Sequence, residues 1–271
     1  MKKTKQLDYS KEHKQYLRTQ KLKSVFVRVV QVLILVLFVG AWELAASLEW
    51  IDTFITSSPS RILSTIAELY SSGALFTHMG ISLLETVLGF TIATLAGTLI
   101  AIIFWWNDTL RKILDPYIVV LNCLPKIALG PLIIIWIGAG LQSTVLICIL
   151  ILIIITVISM VNAFNECDQE KILLMRSMGA NKWQILTRLI LPNSIPNFIS
   201  MLKINVGMSW VGTIIGEYIV SKNGLGYLII YGSSVFKLDL VMTSIVLLCV
   251  LASLMYVIVA YIEKFIKKKR H

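Results

Sequence analysis

The chain has 271 residues, of which 57% are hydrophobic and only 15% charged, with a formal net charge of +10 and a mean hydropathy of +0.81. That leaves too little polar surface for a water-soluble globular domain. The apolar residues also run in stretches long enough to cross a hydrocarbon core, about 20 residues per helix. The composition points to an integral membrane protein, all-α because barrel strands would alternate apolar and polar residues.

A basic tail, residues 1–24, leads into a membrane domain over residues 25–266, and a second basic tail covers 267–271. Within the domain the hydropathy predicts about six transmembrane helices: Val25–Leu48, His78–Trp106, Pro116–Ala139, Thr144–Phe164, Ile195–Val220 and Leu240–Ile262. The first is too long and too far from the start for a usual signal core. Between the first two spans, SSPSRILSTIAELYSS opens with a Ser-Pro helix signal and places Ile62, Ile66 and Leu69 on one face, as in a short interfacial helix. The third span contains LPKIALGP and the fifth contains Lys203, Asn205 and Glu217, so both are weaker as uninterrupted helices. After the fifth, Asn223-Gly224 marks a turn followed by a short apolar stretch.

With the amino terminus inside, twenty of the 25 basic residues fall in the segments 1–28, 107–115, 165–192 and 263–271, against three on the opposite side. This bias places both termini in the cytoplasm, with anionic lipid reinforcing the basic KKTK and KFIKKKR ends. No folded basic face suggests nucleic acid. The four cysteines lack paired spacing and read as reduced thiols, and the three histidines are too scattered for a metal site.

The cytoplasmic segment 166–192 is the most informative. Ile172–Met178 suits a short helix that Gly179 ends in a left-handed turn. Asn181 is an N-cap with Gln184 three residues on, a capping-box variant. The second helix puts Trp183, Leu186 and Ile190 on one stripe, leaves Lys182 and Arg188 to water or a partner, and stops at Pro192, with a new span beginning near Pro196. Physics alone allows two readings of this pair: helices resting on lipid, or a docking knob for a cytoplasmic protein.

In the path across the membrane, Asn122, Lys126, Lys203, Asn205, Ser209 and Glu217 are the polar candidates, since unpaired polar groups in lipid are costly. Asn205 and Ser209 share one helical face. Lys203 also suits snorkelling or a carbonyl partner, Asn205 a helix–helix hydrogen bond, and Trp210 packing more than gating. Glu217 suits a tether for the loop after it as well as a substrate contact. Gly207, Gly212 and Gly216 allow close helix approach, as at a dimer interface.

Gly179, then nine residues, Leu189, one residue, and Leu191-Pro192 resembles the G-x9-I-x-L-P core of the permease loop of bacterial ABC importers. The resemblance runs from about Leu75 to Ile266 through RSMGANKWQ, LPKIALGPLIIIWIGAG, LPNSIPNFISMLKINVGMSW and GEYIVSKNGLGYLI. These segments are similar to the nitrate/taurine/alkanesulfonate branch, which also includes permeases for thiamine precursors and other small metabolites. Two departures stand out: Leu173, Leu174 and Met175 occupy the family's frequent Glu-Ala-Ala positions, and Glu85 stands where relatives commonly carry Arg.

The resemblance implies a type I importer permease fold. It implies that Arg176, Ser177, Met178, Gly179, Ala180, Asn181, Trp183, Leu189, Leu191 and Pro192 couple the permease to a cytoplasmic ABC ATPase dimer. The remaining implied partners are a second copy of the chain, as a homodimer, and an extracytoplasmic solute-binding protein delivering a small polar metabolite, with membrane lipid around the spans of a bacterial inner membrane. The route is implied to run by Asn122, Lys126, Asn205, Ser209, Trp210 and Glu217. ATP and Mg would sit on the ATPase and no cofactor on this chain, which has no G-x4-G-K-[ST] phosphate loop; GMSWVGT from Gly207 lacks the lysine. The chain is thus expected not to be an enzyme. A membrane-embedded enzyme would need a nucleophile with a base, or a metal cluster. A secondary transporter, needing inverted halves around a midplane site, is the alternative to an importer.

Overall fold

The computed structural model describes residues 11–270; the first ten residues, with the KKTK segment, and His271 lie outside the described residues. In chain order the helices are α1 (Lys11–Ser47), α2 (Thr53–Thr56), α3 (Pro59–Ser71), α4 (Ala74–Trp106), α5 (Asp108–Cys123), α6 (Gly130–Ile137), α7 (Leu141–Asn165), α8 (Gln169–Ser177), α9 (Lys182–Ile185), α10 (Leu191–Val220), α11 (Leu225–Ser234) and α12 (Leu238–Arg270). No strand occurs among the described residues. Five helices are long and apolar enough to span a membrane, and six spans result if the bent α5–α6 pair counts as one. The contacts divide the chain into two units after Leu63.

In the first unit, α1 exposes Val32, Leu33, Ile34, Leu35 and Phe38, apolar on all sides as a lipid-facing helix requires. Asp52 caps α2 by accepting from the Phe54 N–H at 2.8 Å. Arg61 donates to the Thr53 carbonyl at 2.9 Å.

In the second unit α4, α7 and α10 pack on one another, and α11 and α12 lie against α10. Lipid offers no hydrophobic drive between helices, so close backbone approach decides the packing. Gly212 and Gly216 provide it on α10: a Cβ at Gly212 would lie 2.9 Å from the Cys148 Cα, and one at Gly216 would lie 3.0 Å from the Thr144 Cα. These two glycines serve a contact inside the chain, with α7, and not the dimer interface suggested for them. Gly207, by contrast, faces open space.

Three sequence expectations need correction. The third span is broken, as its prolines suggested, but it starts earlier than Pro116: α5 begins at Asp108, capped by Asn107 accepting from the Leu110 N–H at 3.1 Å, and carries Pro116 in its interior. It meets the Lys126–Ile137 segment at 84°. Leu124 is extended ahead of Pro125, a residue's usual state before proline. Lys126 then donates to the Asn122 carbonyl at 2.9 Å, a cation satisfying one of the orphan acceptors at the end of α5.

The second correction concerns Pro192, which does not stop the preceding helix. A π-helical turn over Leu186–Ile190 carries α9 straight into α10, and the Leu191 N–H reaches back to the Leu186 carbonyl. The wider turn accommodates a proline that cannot donate to the ladder. The third concerns the stripe on this helix. Ile185, Leu186 and Ile190 are buried whereas Trp183 is 61% exposed, because the π turn rotates the later residues relative to a straight helix.

Candidate functional site

At the end of the bundle formed by the carboxyl end of α7 and the start of α10, α8 and α9 make a helix–turn–helix projection. Asp168 caps α8 by accepting from the Glu170 N–H at 2.9 Å. α8 closes in a Schellman motif: the Ala180 N–H donates to the Met175 carbonyl and the Gly179 N–H to the Arg176 carbonyl, both at 2.9 Å. Gly179 holds φ +81°, the left-handed state that a Cβ resists. The next helix starts with a complete capping box, Asn181 Oδ1 accepting from the Gln184 N–H at 2.8 Å and Gln184 Oε1 from the Asn181 N–H at 2.9 Å.

The projection is seated on the bundle. Ile172, Ile185, Leu186 and Ile190 are buried with Ala101 of α4, Met160 and Phe164 of α7, Cys167, and Met201 of α10; Met175, Ala180, Leu189 and Leu191 pack around them. Burial drives the Cys167 thiol pKa up. With that face occupied by its own chain, the projection still exposes large apolar side chains: Leu173 67%, Leu174 60%, Met178 78% and Trp183 61%. Ser177 donates to the Leu174 carbonyl at 2.8 Å, and Pro192 lies half-buried where α10 begins.

Beside the projection is a polar cavity of about 330 Å³ whose lining includes Trp105, Trp106, Arg111, Asn165, Arg176 and Lys182. Arg111 donates to Asn165 Oδ1 at 3.0 Å and pairs with Asp108 at 2.9 Å; Lys112 pairs with the same carboxylate at 2.7 Å. The hydrogen bond from Lys112, together with the Arg111 charge, holds the Asp108 carboxyl below its ordinary pKa. The Trp183 ring lies 6.4 Å from that of Trp106.

The residues considered for a transmembrane path do not come together. Asn122 and Lys126 are partly or fully exposed at the α5–α6 bend. Asn205, Ser209, Trp210 and Glu217 are buried on α10, packed against the rest of the bundle. Asn205 donates to Thr156 Oγ1 of α7 at 2.8 Å and to Thr94 Oγ1 of α4 at 3.3 Å. Trp210 packs in the cluster with Val206, Leu225 and Leu247. Glu217 tethers the start of α11, just past the loop after α10, accepting from the Gly226 N–H at 2.5 Å, and Lys203 forms an ion pair with Glu263 of α12. The sequence reading did not single out Leu173 and Leu174 as a surface, nor Ser82, whose hydroxyl donates to Glu217 Oε1 at 2.5 Å. The adjacent apolar pair following the buried Ile172 was the available signal for the first, because neighbouring helix positions cannot all face one core.

Replacing Asn205 by leucine is expected to cost roughly 1 kcal/mol, two intramembrane hydrogen bonds at about 0.6 each. The thermal unfolding midpoint of the purified chain checks this, and a wild-type midpoint would remove Asn205 from the packing.

The family model for the inner membrane component of binding-protein-dependent transport systems matches residues 89–269. Among curated relatives, the putative aliphatic sulfonates transport permease protein SsuC of Escherichia coli is 27% identical, covering 90% of this chain and 92% of its own. The riboflavin transport system permease protein RibX of Chloroflexus aurantiacus is 29% identical over 86% and 87%. The taurine transport system permease protein TauC of Escherichia coli is 26% identical over 82% of each. In fold, the chain matches an inward facing conformation of the MetNI methionine ABC transporter with a TM-score of 0.57, at 19% identity, over 70% of this chain and 93% of that one. With its helical spans arranged in the type I importer permease fold, the chain belongs to the binding-protein-dependent transport system inner membrane component family, as an ABC transporter permease and so a transport component and not an enzyme.

Proposed function

We propose that the chain is the permease subunit of an ATP-driven importer and that its α8–α9 projection is the docking knob for a separate cytoplasmic ABC ATPase dimer, which holds the ATP and Mg. The observation that carries this is the apolar surface, Leu173, Leu174, Met178 and Trp183, left exposed on a projection already anchored by its buried face. A helix resting on lipid needs one apolar face; a rigidly capped pair with apolar surface beyond it is built to transmit a push. In this reading segment 166–192 couples ATPase closure to the membrane domain of residues 25–266, and each conformational state must differ in its contacts with nucleotide or substrate.

Two copies of the chain enclose the route, as a homodimer. Asn122 and Lys126 border it at the exposed α5–α6 bend, and Asn205, Ser209, Trp210 and Glu217 hold α10 in place from behind. A solute-binding protein delivers the substrate from outside, and both termini face the bacterial cytoplasm, their basic tails against anionic lipid. The relatives' names cover sulfonates, taurine and riboflavin, which supports a small polar metabolite as the substrate class.

The test is sidedness. Single cysteines at the exposed Asn223 and Lys237, in a cysteine-free chain, are expected to react with an impermeant reagent in intact cells, and one at Lys182 only after permeabilisation. Labelling of Lys182→Cys from outside would invert the topology and remove the ATPase from the projection.

A further inference from the structure

At the end of the bundle opposite α8–α9, two glutamates are buried together. Glu85 of α4 is 0% exposed and Glu217 of α10 is 1% exposed. The packing of α4 on α10 brings them to the same level of the bundle. Neighbouring contacts fix the register, with Ser82 bonded to Glu217 and Thr86 to Thr213 at 3.0 Å.

The two carboxyls are unlike in their surroundings. Glu217 sits in a cradle of donors: the Ser82 hydroxyl and the Gly226 N–H, both at 2.5 Å, and the Tyr227 N–H. That is an anion's environment. Both oxygens of Glu85, in contrast, have no hydrogen-bond partner among the described residues. The protons of its polar neighbours on α7 go elsewhere, from Thr144 to the Gly140 carbonyl at 3.3 Å and from the Cys148 thiol to the Ser209 carbonyl at 3.5 Å.

Among the described residues, no cation pairs with either glutamate. Lys222 borders the same cavity as Glu85 but forms no ion pair among the described residues. His78 Nδ1 accepts from the Gly224 N–H at 3.0 Å, and its ring stacks on Tyr227 at 6.2 Å. Tyr218 also lies beside Glu217, and the Cys148 thiol beside Glu85. Two carboxylates side by side on packed helices and out of water cannot both stay ionised. A cavity of about 260 Å³, lined by Glu85, Gly140, Ser221, Lys222 and Asn223, adjoins them.

We propose that Glu85 and Glu217 form a proton-binding site, holding one proton between them with Glu85 as the carboxylic acid that donates to the Glu217 carboxylate. The proton exchanges through the adjacent cavity: Glu85–CO2H gives its proton to a water there, leaving Glu85–CO2⁻ and H3O⁺. The proton also secures the start of α11. Ser82, which donates to Glu217, accepts from the Leu225 N–H at 2.8 Å, and Glu217 accepts from Gly226. A second anion at Glu85 would repel Glu217 from those donors and loosen residues 224–226.

Infrared spectra of the full-length chain reconstituted in lipid test this. At neutral pH, with surface carboxyls ionised, a protonated-carboxyl C=O band is expected, lost in Glu85→Gln and shifted in Glu217→Gln. The thermal unfolding midpoint of the wild type should fall from neutral to strongly alkaline pH, while Glu85→Gln, a neutral donor of the same size, should fold and lose that fall. A wild type without the band, a band unchanged in Glu85→Gln, or a band abolished by sodium or potassium at fixed pH would overturn the proposal, the last by assigning the site to a metal cation.

Discussion

Gly216→Leu is expected to prevent the permease from accumulating as a folded chain. A Cβ at this position would already lie 2.8 Å from Thr144 Cγ2 and 3.0 Å from the Thr144 Cα, so part of what it meets is backbone and cannot rotate away. Overpacking a tight contact costs about 1–3 kcal/mol even where side chains can adjust, and leucine adds three more carbons. The α7–α10 contact would have to open, and with it the tether from Glu217, one residue on. Gly207→Leu on the same helix is the control, since nothing lies within 4 Å of the position where its Cβ would be. Membrane abundance and detergent unfolding midpoints of the two variants make the comparison. Equal tolerance would mean that the α7–α10 approach is looser than described.

Gly179→Val is expected to leave folding almost intact and to break communication. Its φ of +81° costs a residue with a Cβ about 1–2 kcal/mol, yet no atom lies within 4 Å of that Cβ. The penalty is therefore one of backbone conformation and not of space, which fixes an order: Gly179→Asn, tolerant of the left-handed region, should come nearest to wild type, followed by Ala and then Val. The spans do not depend on this turn, so membrane abundance should stay level across the series while ATP-driven uptake falls. Val activity equal to Asn activity would separate the turn's geometry from transport.

What the sequence made legible was what local chemistry decides. The turn at Gly179 and the capping box at Asn181 and Gln184 are set within a few residues, and both form as read. The five long helices follow from hydropathy in the same way. Continuity through Pro192 was not legible, because it depends on a π turn whose buried side, Leu186 and Ile190, is chosen by packing on α4, α7 and α10. The bend at Leu124-Pro125 showed in the sequence only as two prolines in a span. Asn205, Ser209 and Glu217 illustrate a deeper limit. A polar residue in a span must face away from lipid, but the sequence of one chain does not say whether it faces a channel or its own neighbouring helices. Glu217 became interpretable only with Ser82 and Gly226 beside it.

The central claim is that α8 and α9 carry a separate ATPase. Its most direct test is purification of the tagged full-length chain from its native membrane, comparing the wild type with Leu173→Glu/Leu174→Glu. Both substitutions fall on the exposed face and leave the buried Ile172 side untouched. The wild type is expected to bring down an ABC ATPase in a one-to-one ratio. The variant, equally abundant in the membrane, is expected to lose it along with uptake. A wild-type chain that transports without any ATPase, or a variant that retains its ATPase in full, would contradict the account.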